Sequence, residues 1–393
     1  MLFLKRKKMK ICQDDNCTGC AACANVCPKH SIEMKENSFG ELHPQIDVST
    51  CVQCELCVKT CPVNNELRFS YPLKCYAAWN SDEEKRQKSA TGGLGYLLAR
   101  NVIEYENGIV FSTRYNPDLL PITTHTDNIV DLRAFVGSKY VQSYIDPDTF
   151  RIIKQSLLEG KNVVYIAMPC QVAGLLSFLH KKYSNLLTVD IICHGVCPTS
   201  YFIDEINYLK RKKNITEVSD VRFRGNDGYN YVLSLWNNNQ LLYSQNCNEN
   251  SYFYGFLNGI TLRNNCFSCR YARPERVSDI TIGDFIGLGN NVPFPYSVNN
   301  VSSVFVNTPK GLEYYESVLA HYPSLKNVTR SYEERLVYAP SLREPSKRHP
   351  LNLIFRDKVQ TMGYVNAIQS LIKYKLLYNK LNRICHEIYY RFK

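Results

Sequence analysis

Two four-cysteine runs constrain this chain more than any other feature. CTGCAACANVCP places Cys17, Cys20, Cys23 and Cys27 at the spacing CxxCxxCxxxCP, and CVQCELCVKTCP repeats it with Cys51, Cys54, Cys57 and Cys61. A 4Fe-4S cube takes four thiolates from tetrahedral directions. Three come from one tight loop, and in two-cluster ferredoxins the fourth cysteine of each run crosses to the other cluster. The spacing therefore predicts one cluster on Cys17, Cys20, Cys23 and Cys61 and a second on Cys51, Cys54, Cys57 and Cys27. Pro28 and Pro62 fix the backbone where the fourth thiolate leaves each run. Zinc also uses CxxC pairs, but it has no need of two identical runs each closed by proline. The intervening SIEMKENSFGELHPQID reads as a polar connection with a hairpin, and Cys12 and Cys75, outside both runs, read as plain buried thiols.

The chain has 393 residues, 45% of them hydrophobic, enough for a ferredoxin-sized module and a larger body. Its formal charge of +11 sits at the ends: residues 1–10 carry Lys5, Arg6, Lys7, Lys8 and Lys10 with no acid, and residues 343–393 carry a net +8. The near-neutral middle lacks the basic stripe of a nucleic-acid binder. Seventeen cysteines in short metal-type clusters of a chain this large point to a reducing compartment rather than to disulfides. Met1–Leu4 is too short for a signal core and no apolar run reaches a membrane span, so the expected location is the cytoplasm.

Beyond Leu73 the pattern changes. CYAAWN starts an apolar strand, and SATGGLGYLLARNVIE sets Ser89, Thr91, Gly92 and Gly93 before helical apolar spacing. Such a loop suits either the phosphate of a nucleotide cofactor or an ordinary capped helix. Strands in NGIVFSTRY, KNVVYIAM and LLTVDIICHG then alternate with helices in FRIIKQSLLEG, after PCQ and in SYFIDEINYLKRKK. This is an α/β pattern whose strands read as buried and largely parallel. Cys170 and Cys193 stand at the C-terminal ends of two of these strands, the edge where α/β sheets place ligands, and Cys266 and Cys269 form a CxxC pair farther on. Together they suit a third 4Fe-4S site or four separate buried thiols.

The succession SATGGLGYLLA, VGSKYVQS, VVYIAMPCQVAGL, VDIICHGVCP and CFSCRYARPERVSDITIGDF resembles the beta-subunit family of coenzyme F420 hydrogenases and dehydrogenases, which includes hydroxymethyl chlorophyll a reductase. The resemblance runs from about residue 74 to about 310. It implies a flavin-binding domain, usually with FAD, and a third 4Fe-4S cluster on Cys170, Cys193, Cys266 and Cys269. It also implies flavin contacts from Ser89, Thr91, Gly92, Gly93, Gly137, Ser138, Lys139 and Tyr140. Lys139 beside a flavin would stabilise the anionic reduced ring; otherwise it is a surface lysine holding a carboxylate. Cys197 departs from the family pattern and reads as a free thiol, while His194 reads as a structural neighbour of Cys193 or a proton relay.

The tail, LNLIFRDKVQTMGYVNAIQSLIKYKLLYNKLNRICHEIYYRFK, shows apolar helical spacing among lysines and arginines. It suits a helix docked on its own domain or a second subunit, or peripheral contact with the inner membrane face. The expected architecture is an α+β ferredoxin module (1–72), a larger α/β flavin-binding domain (73–340) and a helical tail (341–393). The expected activity is that of an iron–sulfur flavoprotein oxidoreductase passing electrons between a redox partner protein or ferredoxin and a small organic substrate or deazaflavin. Family analogy suggests a role in polysaccharide biosynthesis. The alternative is an electron-carrier or docking subunit of a larger complex. Substituting bulky residues at Gly92 and Gly93 is expected to remove flavin in the first case only.

Overall fold

A computed structural model describes residues 9–83, 86, 89–224 and 231–391, with side chains to 386. Lys5 to Lys8, and with them most of the basic N-terminus, lie outside the described residues. The N-terminal region is small and α+β. Its hairpin joins β1 (Ile32–Glu36) to β2 (Leu42–Ile46) in antiparallel register, Ile32 opposite Ile46. Ile32 and Met34 point inward while Glu33 and Lys35 point out, the period of a half-buried strand. Two short helices, Ala22–Val26 and Leu56–Thr60, repeat one geometry: Ala21 and Glu55 precede them, each with φ near 58°, and Cys27 and Cys61 follow them in extended conformation. The repeated cysteine spacing is thus a repeated backbone.

The larger region is built on a mixed nine-stranded sheet. Its strands are β3 (Lys74–Asn80), β4 (Ile109–Tyr115), β5 (Pro121–Thr126), β6 (Tyr144–Ile145), β7 (Val163–Ala167) and β8 (Leu186–Ile191). After a three-stranded antiparallel sheet of β9 (Asp220–Arg224), β10 (Tyr231–Asn237) and β11 (Gln240–Asn246) come β12 (Ile280–Asp284), β13 (Ser302–Val306) and β14 (Leu325–Arg330). The order in the large sheet is β14-β3-β13-β12-β8-β7-β4-β5-β6. Only the stretch from β12 through β8 and β7 to β4, and the short pairing of β5 with β6, is parallel. The three strands read as parallel, β4, β7 and β8, are so, whereas the pairings of β14 with β3, β3 with β13, β13 with β12 and β4 with β5 are antiparallel and make the whole sheet mixed. Apolar runs report burial on both faces, and a strand inserted at either flank is buried whichever way it runs.

Alternate residues of the central strands feed different cores. Val110, Val164, Leu187 and Val189 pack under the helices Leu94–Glu106 and Pro309–His321. Phe111 and Tyr165 face the other side, where the helices Thr149–Leu158 and Pro169–Leu179 share one continuous core with Ile11, Ala22, Cys23, Ile32 and Cys57 of the ferredoxin region. The small sheet packs with the helices Thr199–Lys213 and Ser251–Leu257 and with the last helix, Leu351–Arg391. That helix breaks at Gly363 (φ 74°, ψ 168°) and is docked on the body by Phe355, Tyr364, Ile368 and Ile372. Among the described residues, no helix is long and apolar enough to cross a membrane.

Candidate iron–sulfur and cofactor sites

The crossed pattern read from spacing is the pattern of the cavities. One cavity in the ferredoxin region is lined by Cys17, Cys20, Cys23 and Cys61, together with Cys12, Met34, Pro44 and Pro62. The other is lined by Cys27, Cys51, Cys54 and Cys57 with Ile32, Ile46 and Pro28. Their environments differ. Cys20, Cys23 and Cys61 are buried, and burial pushes the Cys20 thiol up to about 12. Cys54 is exposed and its neighbours Val52 and Leu56 are 56% and 40% exposed, so the second cavity opens to solvent through an apolar rim. Backbone N–H groups of Ser31 and Gln53 donate to the sulfurs of Cys27 (3.3 Å) and Cys51 (3.4 Å). Cys12 is not the plain buried thiol expected from its position. It is half-buried and lines the cavity beside Cys17 and Cys61, whose proximity raises its thiol while theirs are lowered. Cys75 does lie in the core of the sheet, its thiol pushed up to about 12 by burial.

Arg263 joins the first cavity to the body. Its guanidinium, wholly buried, donates to the carbonyls of Cys17 (2.9 Å) and Leu42 (2.8 Å), to Gln142 Oε1 (3.0 Å) and to Asn265 Oδ1 (2.7 Å). Asn25 adds a second bolt: its Oδ1 accepts from the N–H of Phe150 (2.7 Å), and Arg151 donates to the carbonyls of Asn25 (2.8 Å) and Cys27. Neither residue was singled out by the sequence, since their partners are far away in the chain.

Cys170, Cys193, Cys266 and Cys269 come together at the carboxyl edge of the parallel strands. Cys170 sits in the first turn of the helix after β7, Cys193 two residues past β8, and the Cys266–Cys269 pair in the loop before β12. Burial pushes all four thiols up, Cys193 to about 12, and Cys170 and Cys266 lie within the electrostatic reach of the other members. The loop is fixed by the buried pair of Arg276 and Asp190 (3.2 Å), with Arg276 Nε also donating to Thr281 Oγ1 (3.2 Å). Four convergent, half-buried thiols with no disulfide among the described residues suit the donor set of a 4Fe-4S cube. This set lies against the first cavity: a Cβ placed on Gly174, one turn past Cys170, would stand 2.9 Å from Cys20 Cβ and 3.0 Å from its sulfur. Cys197 is apart from the set, buried with its sulfur 3.1 Å from Thr261 Oγ1. His194 is held structurally: its carbonyl accepts from Ser346, its ring stands edge-on to Phe256, and burial lowers its basicity.

The segments SATGGLG and GSKY meet at the same edge through Asp284, the last residue of β12. Thr91 Oγ1 and Arg224 both donate to the Asp284 carboxylate, as does Tyr231 OH (3.0 Å), while Arg224 also donates to Tyr140 OH (2.9 Å). Arg335 Nε donates to the Asp284 carbonyl (3.0 Å), and burial lowers its guanidinium to about 10. Gly92 does not offer an open N–H: it donates to Ser302 Oγ (3.0 Å), and a Cβ there would stand 2.5 Å from the Ala78 carbonyl. Bulk at Gly92 would thus break the sheet with or without flavin, which removes it as a discriminating substitution. Gly93, at φ 81°, caps the helix with a Cβ position 3.3 Å from Ser89 Oγ. Gly137 is in the left-handed region at φ 86°, and Ser138 hydrogen-bonds Tyr140. Lys139 is half-buried, within the electrostatic reach of Asp220. Its ammonium donates to the carbonyls of Val136 (3.3 Å) and Gly137 (3.5 Å), lies 5.3 Å from the centre of the Tyr115 ring, and is lowered to about 8 by burial. Arg224 Nε, Arg335 Nη1 and Tyr115 OH are buried here without a hydrogen-bond partner among the described residues. Such orphaned donors fit a polar, anionic cofactor.

Residues 160–330 match the family model for the C terminus of the beta subunit of coenzyme F420 hydrogenase/dehydrogenase, and residues 16–65 match the 4Fe-4S dicluster domain. Residues 160–330 carry the C-terminal domain of the coenzyme F420 hydrogenase/dehydrogenase beta-subunit family. The N-terminal region is a dicluster ferredoxin. The chain is 23% identical over 232 residues to one subunit of the F420H2 dehydrogenase of Methanosarcina mazei, a match covering 55% of this chain and 64% of that protein's length. An uncharacterized ferredoxin of Methanocaldococcus jannaschii is 31% identical over 74 residues, which cover 19% of this chain and 88% of the ferredoxin. A chain of the F420-reducing [NiFe] hydrogenase complex from Methanosarcina barkeri, solved as a xenon derivative, superposes with a TM-score of 0.46 at 14% identity, over 77% of this chain and 92% of that one. The protein is therefore an iron–sulfur redox protein related to these beta subunits.

Proposed function

We propose that the chain is an iron–sulfur flavoprotein oxidoreductase in which a surface cluster, a buried cluster, a third cluster and a flavin form one electron path. Residues 1–72 would carry the first two clusters, residues 73–340 the third cluster and the flavin, and residues 341–393 the docking tail. Cys27, Cys51, Cys54 and Cys57 would hold the solvent-facing cluster, where the exposed rim of Val52 and Leu56 suits a redox partner protein. Cys17, Cys20, Cys23 and Cys61 would hold the buried cluster, and Cys170, Cys193, Cys266 and Cys269 the third. The observation that carries this reading is the packing of Cys20 against the helix that bears Cys170, which makes the two cysteine cages neighbours.

FAD is the flavin the family suggests; when bound it would interconvert two-electron chemistry and the single-electron steps of clusters. Thr91 and Tyr140 join the orphaned donors through Asp284 and Arg224, and Ser89, Gly93, Gly137, Ser138 and Lys139, with Gly92 as backbone support, would complete the flavin contacts. Lys139, lowered to about 8, would hold or release a proton near neutral pH beside the ring. By analogy with the relative named for F420H2, a deazaflavin or another small organic substrate would meet the flavin at this edge.

Metal, sulfide and flavin content of anaerobically purified protein tests the reading. About twelve irons and one flavin per chain are expected. About eight irons with no flavin would favour the electron-carrier reading, a subunit without its own substrate. The exposed stripe Tyr374, Leu377, Tyr378 and Leu381, flanked by Lys373, Lys375 and Lys380, supports contact between the tail and an anionic membrane face. Loss of vesicle co-sedimentation on deleting residues 373–393 is the result expected.

A further inference from the structure

We propose that Cys12 is a reserve ligand of the buried N-terminal cluster, placed to replace Cys17 or Cys61 on iron. The proposal rests on the cluster assignment above and deepens it. A 4Fe-4S cube has four irons and takes one thiolate on each, yet five cysteines line this cavity. The other ferredoxin cavity has four. The fifth thiol lines the same cavity as Cys17 and Cys61, two ligands contributed by different runs.

The backbone holds Cys12 at that position from both sides. Ile11 is buried in the shared core, and its carbonyl accepts from Asn64 Nδ2 at 2.9 Å, three residues beyond Cys61. On the other side a single 3-10 turn, Asp14–Asn16, leads into Cys17, with the Cys17 N–H donating to the Asp14 carbonyl (3.1 Å) and the Asn16 N–H to the Gln13 carbonyl (3.0 Å). One tether thus fixes Cys12 to the Cys61 loop and the other to the Cys17 loop. A cysteine kept only for packing would sit among hydrocarbon, whereas this one lines a cavity with four other cysteines.

The exchange is redox-neutral. The bond from Cys17 to iron breaks, a bond from Cys12 to iron forms, and the proton lost by the Cys12 thiol passes to the released Cys17 thiolate. The same balance holds for Cys61. No oxidant or further reactant is required.

The test is made on the full-length chain purified anaerobically, by counting iron and acid-labile sulfide and recording the EPR spectrum after dithionite reduction. Cys12→Ala is expected to keep the wild-type content. Cys17→Ala and Cys61→Ala are each expected to keep iron and sulfide within about a tenth of wild type, with altered g values. The pairs Cys12→Ala/Cys17→Ala and Cys12→Ala/Cys61→Ala are expected to lose about four irons and four sulfides relative to their single parents, or one iron if a three-iron cluster survives. Cys54→Ala, in the cavity without a fifth thiol, is the control expected to lose iron at once. Single variants as depleted as their pairs would overturn the proposal, and testing both Cys17 and Cys61 guards against one variant failing to fold. If Cys54→Ala and both pairs leave the iron count unchanged, the cluster assignment itself fails.

Discussion

At the scale of single residues, the ferredoxin cysteines were legible because their geometry is local: each run places three sulfurs within one loop, and spacing is all that such a loop needs. Arg263 was not legible, because nothing near it in sequence tells that its guanidinium ends up beside Cys17 and Leu42. Asp284 had a faint signal within the string TIGDF, but its partners Thr91, Arg224 and Tyr231 come from three other segments. Replacing Arg263 by Met should leave four acceptors without this donor, at a cost of about 3 kcal/mol. Urea unfolding would show it, and an unchanged midpoint would rule out the bolt. Glu205 is a second residue whose role is non-local. Burial raises its carboxyl to about 7 against hydrogen bonds from Ser251 (2.9 Å) and Asn250 (3.0 Å). The fold keeps a proton that the unfolded chain releases near pH 4.5, so stability is full below that value and falls as pH rises through about 7. Glu205→Gln should flatten this slope, a difference of up to about 3 kcal/mol between pH 5 and pH 8. Parallel pH dependences in the two proteins would count against it.

At the scale of elements, hydrophobic runs located the strands but did not orient them. β3 and β13 carry the same apolar signature as β7 and β8, and their antiparallel pairing depends on which edge of the sheet was free when the chain returned. The last helix shows another limit. The tail was read as a basic amphipathic helix, and a break at Gly363 divides it, so that Phe355 and Val359 before the break and Ile368 and Ile372 after it all reach the same core. Its backbone conformation there belongs to glycine, and a Cβ would meet nothing within 4 Å. Gly363→Ala should therefore cost roughly 1–3 kcal/mol through the backbone alone. A thermal midpoint equal to wild type would show that the two halves realign freely.

At the scale of the whole molecule, the sequence suggested modules in series, and the structure puts them side by side. The ferredoxin region lays its buried cavity against the helix Pro169–Leu179 and leaves its other cavity facing out. Gly174→Val would force that helix away from Cys20 and should slow electron passage from the surface cluster to the body. Stopped-flow reduction followed at separate cluster signals would detect it, and wild-type rates would mean that another contact carries the transfer.

The shared core also bears on how the protein comes into being. Ile11, Ala22 and Cys23 complete the packing around Phe150 and Val172, so a ferredoxin that has not closed around its iron leaves the body with an open apolar seam. Locally open seams are where proteases cut first. Cells starved of iron would then clear this chain soon after synthesis, and its abundance would follow the metal supply without a dedicated regulator.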